Sequence, residues 1–90
     1  MLGWAMSPRA RLGKNVRRMR VEIGSTQEAL AVDAKLQTAH VSRIERGLAN
    51  PTVDVLFRLA RALNKDIWDL FVIDAPAAQN MRRGRKRKQR

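Results

Sequence analysis

Apolar residues recur along this chain at helical spacing, and the gaps between runs carry helix-stop and helix-start residues. Leu12, Val16, Met19 and Ile23 fall at i, i+4, i+7 and i+11, one face of a helix. Ser7-Pro8 predicts its start, with Ser as cap and Pro in the first turn. Gly24 predicts its end. Thr26 is a good cap for a second, short helix carrying Leu30 and Ala31 and finished by Ala34-Lys35-Leu36. A third run, Gln37 to Arg46, has Val41 and Ile44 as its apolar pair and Gly47 as its stop. Asn50-Pro51-Thr52 reads as a turn followed by a cap. The fourth helix then runs from Val53 to about Leu63, with Leu56, Leu59, Ala60 and Leu63 as its inner stripe and Asp54 at its positive end. Asn64-Lys65 breaks it, and Asp66 caps a last short helix from Ile67 to Phe71. No stretch alternates with period two, and no internal repeat is visible. The pattern predicts an all-α, compact five-helix bundle.

Five short helices leave a small core, and a domain of this size buries only about 60% of its chain surface. Trp68, Leu70, Phe71, Val72 and Ile73 crowd the end of the fold. One face of a short helix cannot turn all of them inward. A symmetric partner is therefore expected, with Trp68, Leu70, Phe71 and Ile73 as the dimer interface.

Charge sharpens the picture. The 90 residues carry 19 Lys+Arg against 8 Asp+Glu, a net charge of +11. Seven of the 19 basic residues lie between Arg82 and Arg90, with no acid among them. Six more, Arg9, Arg11, Lys14, Arg17, Arg18 and Arg20, crowd the first helix. A polyanion is the natural partner, because each cation placed on a phosphate releases condensed counterions. The division expected is a loose leader over 1–7, a folded domain over 8–73 and a disordered basic tail over 74–90, the tail acting as a non-specific nucleic-acid arm.

Several classes fall away. The chain has no cysteine, so neither a disulfide framework nor a Cys-built zinc site is available, and the lone His40 has no second histidine to share a metal. Apolar runs of four or five residues span no membrane. No carboxylate pair, Ser-His-Asp set or Gly-rich phosphate loop occurs at useful spacing; Gly3, Gly13 and Gly24 are too far apart. The expectation is a non-enzyme without cofactor.

The informative segment is Thr26 to Gly47, two short helices joined by a tight turn, the helix-turn-helix unit. A helix held proud of its domain fits the major groove of B-DNA and can read base edges there. Projected at 100° per residue, Val41 and Ile44 mark the inward side of the third helix, with Gln37 close to their direction. Ala39, Ser42, Arg43 and Arg46 point the opposite way, and Thr38 and His40 lie on the flanks. Arg43 has the fork to hold guanine O6 and N7, Thr38 suits a thymine methyl or a phosphate, and Ala39 suits a thymine methyl. A merely solvated face is the bland alternative for such residues, and His40 is an ordinary surface residue on that view.

The stretch from Leu12 to Phe71, about two-thirds of the chain, resembles the phage repressor/Cro-like, or XRE, family of helix-turn-helix domains. The matching text is LGKNVRRMR, TQEALA, VSRIERG, NP-T, LFRLARALN and the final DLF. The resemblance implies a lambda-repressor-like fold. It implies base reading by Thr38, Ala39 and Arg43, with His40 and Ser42 nearby, and phosphate contacts by Gln27, Arg46, Asn50 and Thr52. It also implies a structural ion pair between Arg20 and Glu45. Two positions depart from the family pattern: Lys35 stands where Gly is usual in the turn, and Gln37 where a Ser or Thr cap is usual.

The resulting expectation is a sequence-specific regulator of transcription, a repressor binding a roughly palindromic stretch of double-stranded DNA as a homodimer in the cytoplasm, at a bacterial or phage nucleoid. The alternative is an antitoxin or adaptor whose main partner is another protein, with DNA binding used for autoregulation. An RNA-binding basic protein is a third reading, suggested by the tail alone.

Overall fold

The computed structural model describes residues 6–73 of the 90. The leader before Met6 and the basic tail from Asp74 onward lie outside the described residues. Within them the chain is helical, with no strand. Helix α1 spans Pro8–Glu22, α2 Gln27–Ala34, α3 Thr38–Glu45 and α4 Val53–Ala62; a 3₁₀ helix, Ile67–Phe71, closes the fold. The five helical segments are thus four α-helices and one 3₁₀ turn.

Side-chain caps set three of the starts. The Ser7, Thr26 and Thr52 hydroxyls accept from the backbone N–H of Ala10, Ala29 and Val55 at 3.2, 3.0 and 3.2 Å. Each satisfies a donor that has no partner within its own helix. Gln37 caps α3 without a side-chain bond. The 3₁₀ helix opens with a capping box, in which the Asp66 N–H donates to Asp69 Oδ2 at 3.0 Å.

The core is one cluster. Leu12, Val16 and Met19 of α1 meet Leu30, Ala31 and Ala34 of α2, Val41 and Ile44 of α3, Val55, Leu59 and Ala60 of α4, then Leu63 and Leu70. Each large apolar side chain here contributes about 1.5–3 kcal/mol of transfer free energy. Three expectations are corrected. Ile23 continues the spacing of the α1 stripe but is the C-cap residue and exposed, because Gly24, at φ +69°, turns the chain away. Gln37 is exposed rather than inward, since it precedes the helix onto which it was projected. Leu70 is 0% exposed and belongs to the core, so it cannot form a dimer interface. With three residues per turn, Ile67 and Leu70 eclipse on the inward face. Trp68, Phe71 and Ile73 are exposed around them.

Asn15 is the one polar residue buried as a whole among the described residues, at 4% exposure. Its Nδ2 donates to the carbonyls of Leu70 and Val72 at 2.9 and 3.0 Å, and its Oδ1 accepts from Arg18 Nη2 at 3.2 Å. Three hydrogen bonds thus offset the cost of burying an amide, and two of them tie the end of the domain to α1.

Candidate nucleic-acid interface

Helices α2 and α3 pack against each other, α1 lies against α3, and α4 backs α2. The α2–α3 turn is fixed by Lys35, which ends α2 in the left-handed conformation at φ 59°, ψ 48°. The Leu36 N–H donates back to Ala31 O at 2.8 Å, closing the turn around it. Arg58 of α4 donates through Nε to Ala34 O at 3.1 Å and satisfies another carbonyl at this end. The turn geometry usual with Gly is thus reached with a lysine, at a strain of about 1–2 kcal/mol.

The other end of α3 is held from α1. A Cβ on Gly13 would stand 2.4 Å from Ile44 O and 2.6 Å from Glu45 O, so only glycine permits this approach. Gly47, at φ +76°, reverses the chain after α3 and lets the Leu48 N–H reach Arg43 O at 2.9 Å. Two turns beyond Gly13, Arg20 grips Glu45 in a two-pronged pair, Nε to Oε2 at 2.6 Å and Nη2 to Oε1 at 3.0 Å. Arg20 Nη1 also donates to Ser25 O at 2.9 Å, and Gln27 Nε2 donates to Glu45 Oε1 at 3.0 Å. The Glu45 side chain is 2% exposed. A single carboxylate therefore joins α1, the first turn of α2 and the last turn of α3. The hydrogen bond to Glu45 holds the Arg20 guanidinium above its ordinary, already strongly basic value; partial burial opposes this, and the negative charges of Glu45 and Glu28 assist it.

With α3 anchored at both ends, its outer face is left to solvent. Ala39, Arg43 and Arg46 are exposed, and Thr38, His40 and Ser42 are partly so, while Val41 and Ile44 are buried. The structure thus brings the five residues expected to read bases onto one helix. Arg43 Nη2 donates to Leu48 O at 3.3 Å, leaning the guanidinium toward the α3–α4 loop. Asn50 and Thr52, in that loop, are exposed. The Thr52 hydroxyl oxygen caps α4, which leaves its O–H free to donate. Gln27 is half-buried at the α2 end of the same surface.

Sequence reasoning missed Gly13 and Asn15. Both carried a signal: a glycine inside a helix needs a packing reason, and Asn15 interrupts the apolar stripe between Leu12 and Met19. Among the described residues no cluster of His, Cys, Asp or Glu could hold a metal ion, and no helix is long and apolar enough to cross a membrane.

Residues 16–67 match the helix-turn-helix family model, more than half of the chain. The chain belongs to this XRE-type helix-turn-helix family. It is 41% identical over 58 residues to the HTH-type transcriptional regulator y4dJ of Sinorhizobium fredii, covering 64% of this chain and 75% of that relative. It is 34% identical over 65 residues to an HTH-type transcriptional regulator of Methanothermobacter thermautotrophicus, covering 71% of this chain and 94% of the relative. Among solved structures it is similar to the restriction-modification controller protein C.AhdI from Aeromonas hydrophila, with TM-score 0.69 and 32% identity over 70% of this chain and 96% of that one. It is also similar to the hypothetical transcription factor NHTF from Neisseria, with TM-score 0.75 and 30% identity over 81% and 84%. The family member described here is a DNA-binding transcriptional regulator, not an enzyme.

Proposed function

We propose that this regulator binds a roughly palindromic operator as a homodimer and represses by occupying it. The observation that carries the reading is the outer face of α3, where Thr38, Ala39, His40, Ser42 and Arg43 share one open surface on a helix pinned at both ends. A rigid, protruding helix keeps the geometry that base-edge hydrogen bonds require. Gln27, Arg46, Asn50 and Thr52 border that face and serve phosphates, which set register and supply affinity. Trp68, Phe71 and Ile73 are exposed apolar residues at the end of the domain and form the dimer interface. Two copies related by a two-fold axis then set their α3 helices about 34 Å apart in successive major grooves. Repression needs no second domain, since a bound dimer blocks the site. The similarity to a restriction-modification controller suits a small regulator of this build. Residues 82–90, with seven cations, add sequence-independent affinity. The site of action is the cytoplasm, at the chromosome.

Selection of bound sequences from random duplex DNA tests the reading. A preferred site with two-fold symmetry is expected. A single unsymmetric half-site would remove the homodimer, and absence of any preference would remove sequence reading by α3. Retention of structured RNA in preference to duplex DNA would move the function to RNA.

A further inference from the structure

The DNA-facing surface does not end at α3. Helix α1 turns by about 100° per residue, so its contacts fix which way each side chain points. Leu12, Val16 and Met19 mark the core side. Gly13, against the carbonyls of Ile44 and Glu45, and Arg20, on the Glu45 carboxylate, mark the side that touches α3. Arg17 is four residues after Gly13 and three before Arg20, about 40° and 60° around the helix from them and on the side away from the core. It therefore stands on the margin where the open face of α1 meets the last turn of α3, on the outer side of the domain. Arg17 is exposed, and among the described residues its guanidinium makes no hydrogen bond or ion pair. Arg46, the C-cap residue of α3, is exposed at the same end, and Gln27 is tethered there through Glu45.

We propose that Arg17 is a phosphate-binding residue, extending the grip on the DNA backbone from the C-terminal end of α3 onto α1. The inference rests on the DNA-binding reading given above. A free guanidinium is suited to this role because it offers several donors to phosphate oxygens without first giving up a protein partner. The acidic residue nearest in the α1–α3 seam, Glu45, is already held by Arg20 and Gln27. The contact carries no sequence information, so it raises affinity on every duplex alike.

The test compares Arg17→Ala with Arg61→Ala, each in the 90-residue chain. Both remove one exposed cation and change the net charge equally, but Arg61 sits on α4, over the Phe57 ring. Binding is measured on a random duplex across a salt series, and thermal melting is followed in parallel. Arg17→Ala is expected to lower the slope of log K against log salt by about 0.9 per protomer, to weaken preferred and random duplexes by the same factor, and to leave the melting temperature unchanged. Arg61→Ala should leave the slope near wild type, and Arg17→Lys should restore most of it. Equal slopes for Arg17→Ala and Arg61→Ala would overturn the proposal, as would Arg17→Lys behaving like Arg17→Ala. A loss confined to the preferred duplex would make Arg17 a base-reading residue instead and overturn it too. Because the slope is read on random DNA, the proposal can fail while operator selection succeeds. A wild-type chain that binds no duplex at all overturns both readings together.

Discussion

Gly13 of α1 lies so close to Glu45 of α3 that a Cβ on it would stand 2.6 Å from the Glu45 carbonyl oxygen and 2.9 Å from its carbonyl carbon. Two effects compete in Gly13→Ala. Helix propensity favours alanine by about 0.5–1 kcal/mol. The clash falls on backbone atoms at the end of α3, which cannot swing aside as a flexible side chain does, and forced repacking costs about 1–3 kcal/mol. The clash should win, so Gly13→Ala is expected to melt lower than wild type and to bind DNA more weakly at temperatures where both are folded. A raised melting temperature would show that α1 and α3 slide apart freely.

The Arg20–Glu45 pair is nearly dry on the glutamate side, so truncating one partner strands a buried charge. Arg20→Ala should cost about 3–5 kcal/mol, a large share of the roughly 5–15 kcal/mol that holds a small domain together. Its pH dependence has a definite sign. A folded-state pKa raised above the unfolded one gives stability that is complete below the unfolded value and is lost only as pH rises through the folded value. For arginine both lie in strong alkali. The difference in unfolding free energy between wild type and Arg20→Ala should therefore stay flat from neutral to mildly alkaline pH. A difference that fades in that window would mean the pair is not governed by Arg20.

Lys35 holds a left-handed conformation that costs a residue with a Cβ about 1–2 kcal/mol. Glycine removes that strain but adds roughly 0.5–1 kcal/mol of unfolded-state freedom. Lys35→Gly should come out level to about 1 kcal/mol more stable, with a melting point up to several degrees higher. A clear drop would show that the Lys35 side chain makes a favourable contribution greater than its strain.

How much of this was legible in the sequence depends on whether each residue acts locally. Ser7, Thr26 and Thr52 were readable because a cap is a contact across three residues. Val41 and Ile44 were readable because helical periodicity alone turns them inward. The outward set on α3 followed from the same projection. Val55 was missed because the stripe drawn through Leu56, Leu59, Ala60 and Leu63 is centred slightly off the true buried face. Gly13 and Asn15 depend on partners more than thirty positions away, the Ile44–Glu45 carbonyls and the Leu70 and Val72 carbonyls. Spacing along the chain says nothing of such crossings. That Gln27 and Arg20 share one carboxylate is likewise a fact of packing, although the motif resemblance pointed to half of it.

Arg43 tests whether α3 reads bases or only touches phosphate. Its guanidinium is exposed and leans on Leu48 O by a 3.3 Å hydrogen bond, an interaction easily given up to a base. If Arg43 reads a base as proposed, Arg43→Ala should cost about 1–3 kcal/mol on the selected operator and relax preference at one base pair, while random DNA is bound nearly as before. Binding measured on operator variants checks this. Equal weakening on operator and random duplexes would make Arg43 a phosphate contact.

The end of the domain allows a clean separation between folding and association. Leu70 is fully buried under α1 and α4, whereas Trp68, two residues earlier, is 75% exposed. Leu70→Ala leaves a cavity and should cost about 2–5 kcal/mol of stability, and the protein should melt early whatever its concentration. Trp68→Glu touches no core contact, so its circular dichroism and melting as a dilute protein should match wild type. If Trp68, Phe71 and Ile73 form the contact between two copies, Trp68→Glu places one carboxylate from each copy near the two-fold axis. Wild type should then sediment as a dimer and Trp68→Glu as a monomer, with a steep loss of affinity for a two-half-site operator and almost none for a single half-site. A Trp68→Glu protein that still sediments as a dimer would place the contact elsewhere on the domain.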